Sequence, residues 1–180
     1  MTTSLLLTTF ASWRAHQPSN ASDDLVAALV QQYRVPEGTV MMRQVPVSFA
    51  LAPCRVIAKA IELRPRVVVC CGMAEPRTHL ELELNGKSPN HTLQTSLALG
   101  QLMEGTCLTR VSHCAGDYVC NHLYYHLLQA IHTHRLPTQA LFIHVPLLTA
   151  ANQPWILQDF SLILQRLTLP AAFQLPALAA

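Results

Sequence analysis

The chain alternates short, wholly apolar runs with segments whose apolar residues recur every three or four positions. Continuous apolar runs fit strands buried on both faces, and the three-to-four period fits helices packed on one face. Ser4 to Phe10 predicts a first strand, and a polar loop, ASWRAHQPSNAS, follows it. Ser22 is placed as a helix cap, with Asp23 and Asp24 in the first turn, where acids complement the helix dipole. Leu25, Ala28, Leu29 and Gln32 continue at helical spacing. Thr39–Val47 predicts a second strand, and residues 49–64 a helix with Leu51, Val56, Ile57, Ala60 and Ile61 on its apolar face. Arg66–Cys71 predicts a third strand ending at Gly72, and residues 73–90 read as irregular and polar. Residues 91–103 predict a short helix on Leu93, Leu97 and Leu102, and Thr106–Ser112 a fourth strand. A helix then runs to about His132, Ala140–Val145 predicts a fifth strand, and Trp155–Leu167 a last helix. The terminal LPAAFQLPALAA, rich in Pro and Ala, reads as loose.

Strands and helices alternate throughout, which predicts the α/β class: a three-layer αβα sandwich with a largely parallel central sheet. The reading is of a single domain over residues 1–170 with a tail at 171–180. Of the 180 residues, 51% are hydrophobic and only 12% charged, which points to a well-buried sheet. The ten Arg and two Lys are scattered singly, so no basic stripe supports nucleic-acid binding. No apolar run has the length of a membrane span. MTTSLLLTTF carries no positive n-region and no cleavage site, so it reads as a strand and not a signal peptide. The six cysteines form no dense framework, and Cys70 and Cys71 are adjacent in one strand. Reduced thiols in a cytoplasmic protein are expected.

In folds of this class, chemistry gathers outside the carboxyl ends of the strands. Those ends bring Phe10 and Trp13, then Gly72 with Glu75, Arg77, Glu81 and Glu83, then the loop after His113, then His144 to one edge. If Asp117 caps the helix after that loop, Cys120 falls in its first turn, where unpaired N–H groups and the dipole lower a thiol's pKa. Cys114 has no such help and reads as a small packed residue. Placement alone leaves Cys120 open between nucleophile and buried thiol, and His144 open between catalytic base and core histidine. Glu81 and Glu83, two apart in an extended segment, share a face.

The segment SHCAGDYVCNHLYYHLL resembles the nucleophile motif of the pyroglutamyl peptidase I family, cysteine peptidases also called pyrrolidone-carboxylate peptidases. That motif has the form SxxAGxYVCNHxxYxxL, and Cys120 stands in the nucleophile's place. FIHVP resembles the family's strand-end motif and makes His144 the catalytic histidine, 24 residues on, a spacing similar to the family's. RPRVVVCCGMAEPR resembles the strand that leads into a Gly-Gln-Ala-Gly-Gly-Arg loop, with Gly72, Ala74 and Arg77 matching. Counting on implies Glu83 as the catalytic glutamate, with Glu81 as the fallback. LLLTTFASW resembles the family's Thr-Gly-Phe-x-x-Phe loop, which implies Phe10 and Trp13 as walls of the lactam pocket. Met73 occupies the place of the loop's Gln as a substrate-binding residue, Glu75-Pro76 stands for Gly-Gly, and Thr9 for the early Gly. The family carries an arginine shortly after its glutamate, and this chain has Leu93 there. The span from Glu83 to Cys120, 37 residues, is shorter than in typical members and omits segments that contribute to subunit contacts.

The resemblance implies a cysteine-type omega peptidase that removes an N-terminal pyroglutamyl residue from peptides, with no cofactor and no metal. The expected partner is the pyroglutamyl peptide substrate, with no nucleic acid or membrane, in a monomer or small homo-oligomer. Three other readings compete. His122 and His126 have a workable zinc spacing, with His113, His132 and His134 nearby, but no HExxH pattern and no third ligand placed by spacing. A family member without turnover, acting as a binding protein, would also fit the Glu75-Pro76 change and the absent arginine. A hydrolase of a different cyclic or acylated amine would fit the altered 73–77 loop.

Overall fold

The computed structural model describes residues 3–169, so the tail read at 171–180 lies outside the described residues. Eight strands and five helices succeed one another among them. They are β1 (Leu5–Phe10), α1 (Ala21–Gln31), β2 (Thr39–Val45), α2 (Leu51–Leu63), β3 (Val67–Met73), β4 (Leu80–Glu83) and β5 (Asn85–Ser88). Then follow β6 (His91–Gln94), α3 (Leu99–Met103), β7 (Thr109–Ser112), α4 (Val119–Thr133), β8 (Gln139–Val145) and α5 (Gln153–Thr168).

Six strands form the central sheet in the order β2-β1-β3-β8-β4-β7. Side chains alternate between its faces. Leu5, Leu7, Val67, Val69, Leu141 and Ile143 meet α1, α3 and α5. Leu6, Val68, Cys70, Ala140 and Phe142 meet α2 and α4. This is the expected three-layer sandwich, and burial on both faces explains why β1, β3 and β8 read as continuous apolar runs. Each fully buried leucine contributes about 2 kcal/mol.

The sheet is largely but not wholly parallel. β2, β1, β3 and β8 share one direction, while β4 runs antiparallel to β8 and carries β7 with it. The segment 73–90, expected to be irregular, contains β4 and β5. The sequence Leu-Glu-Leu-Glu hid β4, because its polar half is buried too: Leu80 and Leu82 enter one core while Glu81 and Glu83 are buried among ion pairs. The helix expected over 91–103 is split into β6 and a five-residue α3. The β5–β6 hairpin lies on α4, where a Cβ on Gly86 would come within 2.8 Å of the Tyr125 backbone. Asn121 holds the hairpin by accepting from the Lys87 amide and donating to the Lys87 carbonyl, both at 2.8 Å.

The cap of α1 is Asn20 and not Ser22. Its side chain accepts from the Ser22 amide at 3.0 Å and the Ser22 hydroxyl at 2.7 Å. Asp23 turns inward, where Thr9 Oγ1 at 2.6 Å, Arg43 at 2.8 Å and Gln44 at 3.1 Å donate to it. Of the face assigned to α2, Val56 and Ala60 are buried, but Leu51 is 46% exposed and Ile61 38%. The helix meets its neighbours along a narrow seam of Ala52, Val56 and Ala60, one turn apart.

Asp159 of α5 is buried and accepts from the amides of Cys107 at 3.0 Å and Leu108 at 2.7 Å and from Thr109 Oγ1 at 2.8 Å. It pins the start of β7. Asp159→Ala is expected to lower unfolding free energy by about 3 kcal/mol, since several charge-assisted bonds are lost together. Denaturant unfolding measures this, and a loss within experimental error would show that the loop is held by other contacts.

Candidate active site

The site forms where β3, β8 and β4 meet the start of α4. Gly72 of β3 pairs with His144 of β8, and paired residues on neighbouring strands share a face. That face carries Phe142 and looks toward α4. A Cβ on Gly72 would lie 2.8 Å from Cys120 Sγ and 2.9 Å from the Phe142 ring. The missing side chain at 72 therefore makes the space the sulfur occupies, beside the strand position of His144. No hydrogen bond joins Cys120 to His144 among the described residues.

Cys120 lies in the first turn of α4, as expected, but Asp117 does not cap it. The cap position is Tyr118, which makes no side-chain capping bond. The thiol pKa is not lowered either. Burial, then the neighbouring Cys70 and the Glu83 carboxylate, push it up to about 12, against a smaller opposing pull from Cys120's own backbone amide. One turn of helix does not offset removal from water. The approach of the loop also differs from expectation, because β7 runs against β8. It is only four residues long and its last residue, Ser112, pairs with Glu83, so residues 113–118 still start level with the site.

Glu81 sits directly across from His144 in the β4–β8 register, and Glu83 is its diagonal neighbour. The bond nevertheless goes to Glu83, whose Oε1 lies 2.6 Å from His144 Nδ1. Glu81 is drawn instead to Arg77 and Arg110. Glu83 is fully buried, and its Oε2 has no hydrogen-bond partner among the described residues. Burial pushes its pKa up, but the His144 bond and charge, with lesser help from Ser112 and Arg77, bring it below the ordinary value. His144 is pushed down by burial, which outweighs the opposing pull of Glu83. Arg77 Nη1 stands 3.0 Å from Glu83 Oε1 and 3.2 Å from Ser112 Oγ, and Nη2 donates to the Cys114 carbonyl at 2.9 Å. Leu93 packs on the α2–α4 side of the sheet, so the cation beside the glutamate comes from the 73–77 loop. Counting along the sequence gave Arg77 a match but not this role.

Cys120 and His144 line one cavity of about 450 Å³ together with Phe10, Trp13, Met73 and Tyr118. Phe10 is a buried wall. Trp13 stacks on Tyr118 with ring centroids 4.9 Å apart, a distance that leaves no room for a ligand ring between them. The lactam slot expected between Phe10 and Trp13 thus has Tyr118 as a third aromatic. Its signal in the sequence was the tyrosine of the AGxYVC motif. Met73 lines the cavity while its sulfur accepts from the Ala21 amide at 3.3 Å. At the rim Glu75 accepts from Gln17 at 2.5 Å, meets His16 at 3.0 Å, and faces Arg14 at 3.8 Å. Gln17 and His16 hold its carboxyl below the ordinary range. Cys114, expected to be packed, is exposed. The His122 and His126 rings are 4.3 Å apart, but no group of three or more His, Cys, Asp or Glu suited to a metal comes together among the described residues.

The family profile described as pyroglutamyl peptidase matches residues 94–159. The pyrrolidone-carboxylate peptidase of Bacillus thuringiensis is 27% identical over 157 residues, covering 72% of this chain and 73% of that protein. That of Cupriavidus pinatubonensis is 28% identical over 179 residues, covering 83% and 82%. The crystal structure of pyroglutamyl peptidase I from Bacillus amyloliquefaciens superposes with a TM-score of 0.76 at 20% identity, over 92% of this chain and 96% of that one.

This chain is similar in sequence and fold to the pyroglutamyl peptidases.

The stretch matching the pyroglutamyl peptidase profile contains Cys120 and His144 and begins beyond Glu83. No helix of the described residues is long and apolar enough to cross a membrane.

Gly72→Ala tests the seat of the sulfur. The added methyl meets Sγ and the Phe142 ring, and overpacking of this kind costs about 2 kcal/mol. A lowered denaturation midpoint is expected, and an unchanged one would show that the sulfur is not packed against residue 72.

Proposed function

We propose that this protein is a cysteine-type omega peptidase that removes an N-terminal pyroglutamyl residue through Cys120, His144 and Glu83. The observation that carries the reading is the buried 2.6 Å bond from His144 Nδ1 to Glu83 Oε1 behind a cavity that Cys120 also lines. With Nδ1 engaged, Nε2 is the free ring nitrogen. The mechanism requires the Cys120 sulfur to leave its seat beside Gly72 and approach that nitrogen across the cavity both residues line.

The resting pair is a neutral thiol beside a neutral imidazole, because burial disfavours charge on both. His144 therefore takes the thiol proton as the sulfur attacks the pyroglutamyl carbonyl, and the ionised Glu83 stabilises the imidazolium that forms. The tetrahedral oxyanion is met by backbone N–H groups in the first turn of α4, each worth about 3 kcal/mol. Collapse breaks the C–N bond, and His144 returns the proton to the leaving amine. Water then attacks the thioester, again with His144 as base, and pyroglutamate leaves. The chemistry requires no metal.

Phe10, with Trp13 and Tyr118, offers an apolar slot for an uncharged lactam, whereas a charged free N-terminus would lose its hydration there. Met73 presents a thioether, which donates no hydrogen bond, so the polar edges of the ring depend on backbone groups. That feature and Glu75-Pro76 favour one second reading: the same chemistry on another cyclic or acylated amine. The work of a free thiol fits a reducing cytoplasm.

A pyroglutamyl-anilide reporter tests the assignment. Cys120→Ser and His144→Ala are expected to lose at least about a thousandfold in kcat/KM, and Glu83→Gln less. Full activity in Cys120→Ser would end the proposal. The pH profile provides an independent test. His144 acts as a base in its neutral form, and its pKa lies below the ordinary 6.5. Lowering the pKa keeps the neutral form present to lower pH, and Glu83 is ionised throughout that range. The acid limb of kcat/KM is expected below pH 6.5, with activity holding at 6.5 itself. A limb centred above that value would contradict a buried, neutral His144.

A further inference from the structure

The cavity mouth continues outward as a ledge of aromatic rings. From Trp13 and Tyr118, which line the cavity, the rings pass to Phe49 at 5.3 Å and on to His122 at 5.1 Å. Trp13 is 45% exposed, Tyr118 44% and Phe49 47%. Tyr118, His122 and His126 follow one another at a spacing of four on α4, outside the buried set Val119, Leu123, Tyr124, Leu127 and Leu128. A solvent-facing stripe of a helix is normally polar and flexible, so rings in contact there mark an interaction surface. Burial and the nearby His126 push His122 below its ordinary pKa, and its ring bonds to the Phe49 backbone. Charge on His122 is thus disfavoured, and the cation on the ledge is Arg14, over the Trp13 ring.

We infer that this ledge binds the residues that follow pyroglutamate in the substrate and selects peptides with aromatic side chains there. The inference rests on the pyroglutamyl peptidase reading. If the lactam fills the cavity and the scissile carbonyl faces Cys120, the chain beyond it must leave through the mouth. One border of that mouth is the polar rim of Glu75, Arg14, His16 and Gln17, whose groups already bond one another. The other is the aromatic ledge, whose rings stay about half exposed although Trp13 is stacked on Tyr118 and has Arg14 over its ring. Tyr118 and His122 lie four positions apart along α4, about 6 Å of helix rise, which two residues of extended chain at ~3.4 Å each would span. Trp13 and Tyr118 belong to both cavity and ledge, so a peptide held in one is delivered to the other.

The test compares kcat/KM for pyroglutamyl-Phe-Phe-amide and pyroglutamyl-Ala-Ala-amide, read by release of the dipeptide amide. The wild type is expected to prefer the aromatic peptide by about tenfold, the size of one or two aromatic contacts. Phe49→Ala and His122→Ala should each bring the ratio toward one, and Phe49→Tyr should retain it. Turnover of both peptides with an unchanged ratio in the Ala variants would overturn the ledge and leave the peptidase reading standing. No turnover of either peptide, nor of the anilide, would overturn the peptidase reading and the ledge with it. Sedimentation of wild type and Phe49→Ala provides the remaining control. A dimer that Phe49→Ala disperses would assign the ledge to a second copy of the chain and overturn the inference.

Discussion

A carboxylate with no exposure to water has to be surrounded by partners, and Glu83 sets that demand at the centre of this molecule. Its needs organise the elements around it. β4 enters the sheet antiparallel, which puts Glu83 diagonal to His144 within reach of Nδ1. The 73–77 loop folds back so that Arg77 stands between Glu83 and Glu81 and also holds Ser112 and the Cys114 carbonyl. Arg77 thereby ties the end of β7 and the approach to α4 to the same carboxylate. A buried group paired this way gives little net stability, since desolvation consumes most of the attraction. What it fixes is geometry: one tautomer and one orientation of one imidazole.

Gly72 does the complementary work for the sulfur. Every other residue at that position would place a Cβ where Cys120 Sγ and the Phe142 ring now meet. Because Gly72 pairs with His144, the space it leaves adjoins the imidazole's strand position. The constraint acts through packing, whereas that on Glu83 acts through charge, and the two together bring Gly72, Glu83, Cys120 and His144 to one edge of the sheet.

The layers were legible because β1, β3 and β8 are apolar on both faces and the helices between them carry a clear period. Cys120 and His144 were legible through motif and through strand-end placement. β4 was not, because its glutamates look like a solvated edge until Arg77, Arg110 and His144 are brought to them from elsewhere. No local rule distinguishes a paired buried glutamate from an exposed one. The same blindness hid the direction of β7, which cross-strand pairing sets, whereas counting along the motif did put Glu83 before Glu81, and the ion pairs of Glu81 with Arg77 and Arg110 leave Glu83 as the partner of His144. Asn20 outcompeted Ser22 as a cap because Ser22 is itself a donor to the Asn20 side chain. The first-turn position of Cys120 was read correctly, yet the pKa inferred from it had the wrong sign, since the depth of the thiol depends on Gly72, Cys70 and Phe142.

That sign bears on how the site works. A thiolate formed at rest would need a positive charge beside it, and burial disfavours such a charge on His144. In the proposed mechanism both groups are neutral before reaction, so charge would appear only as the sulfur bonds to carbon and the proton crosses to nitrogen. On that proposal Glu83, already hydrogen-bonded to His144, would meet the new imidazolium without rearrangement, and the first turn of α4 would meet the oxyanion likewise. Stabilisation that is absent before the reaction and present during it lowers the barrier without tightening the ground state. Burial of the thiol, which weakens it as a resting nucleophile, is thus consistent with the paired carboxylate behind the histidine: the same removal from water that raises the cost of charge on sulfur strengthens each fixed dipole that offsets it in the transition state.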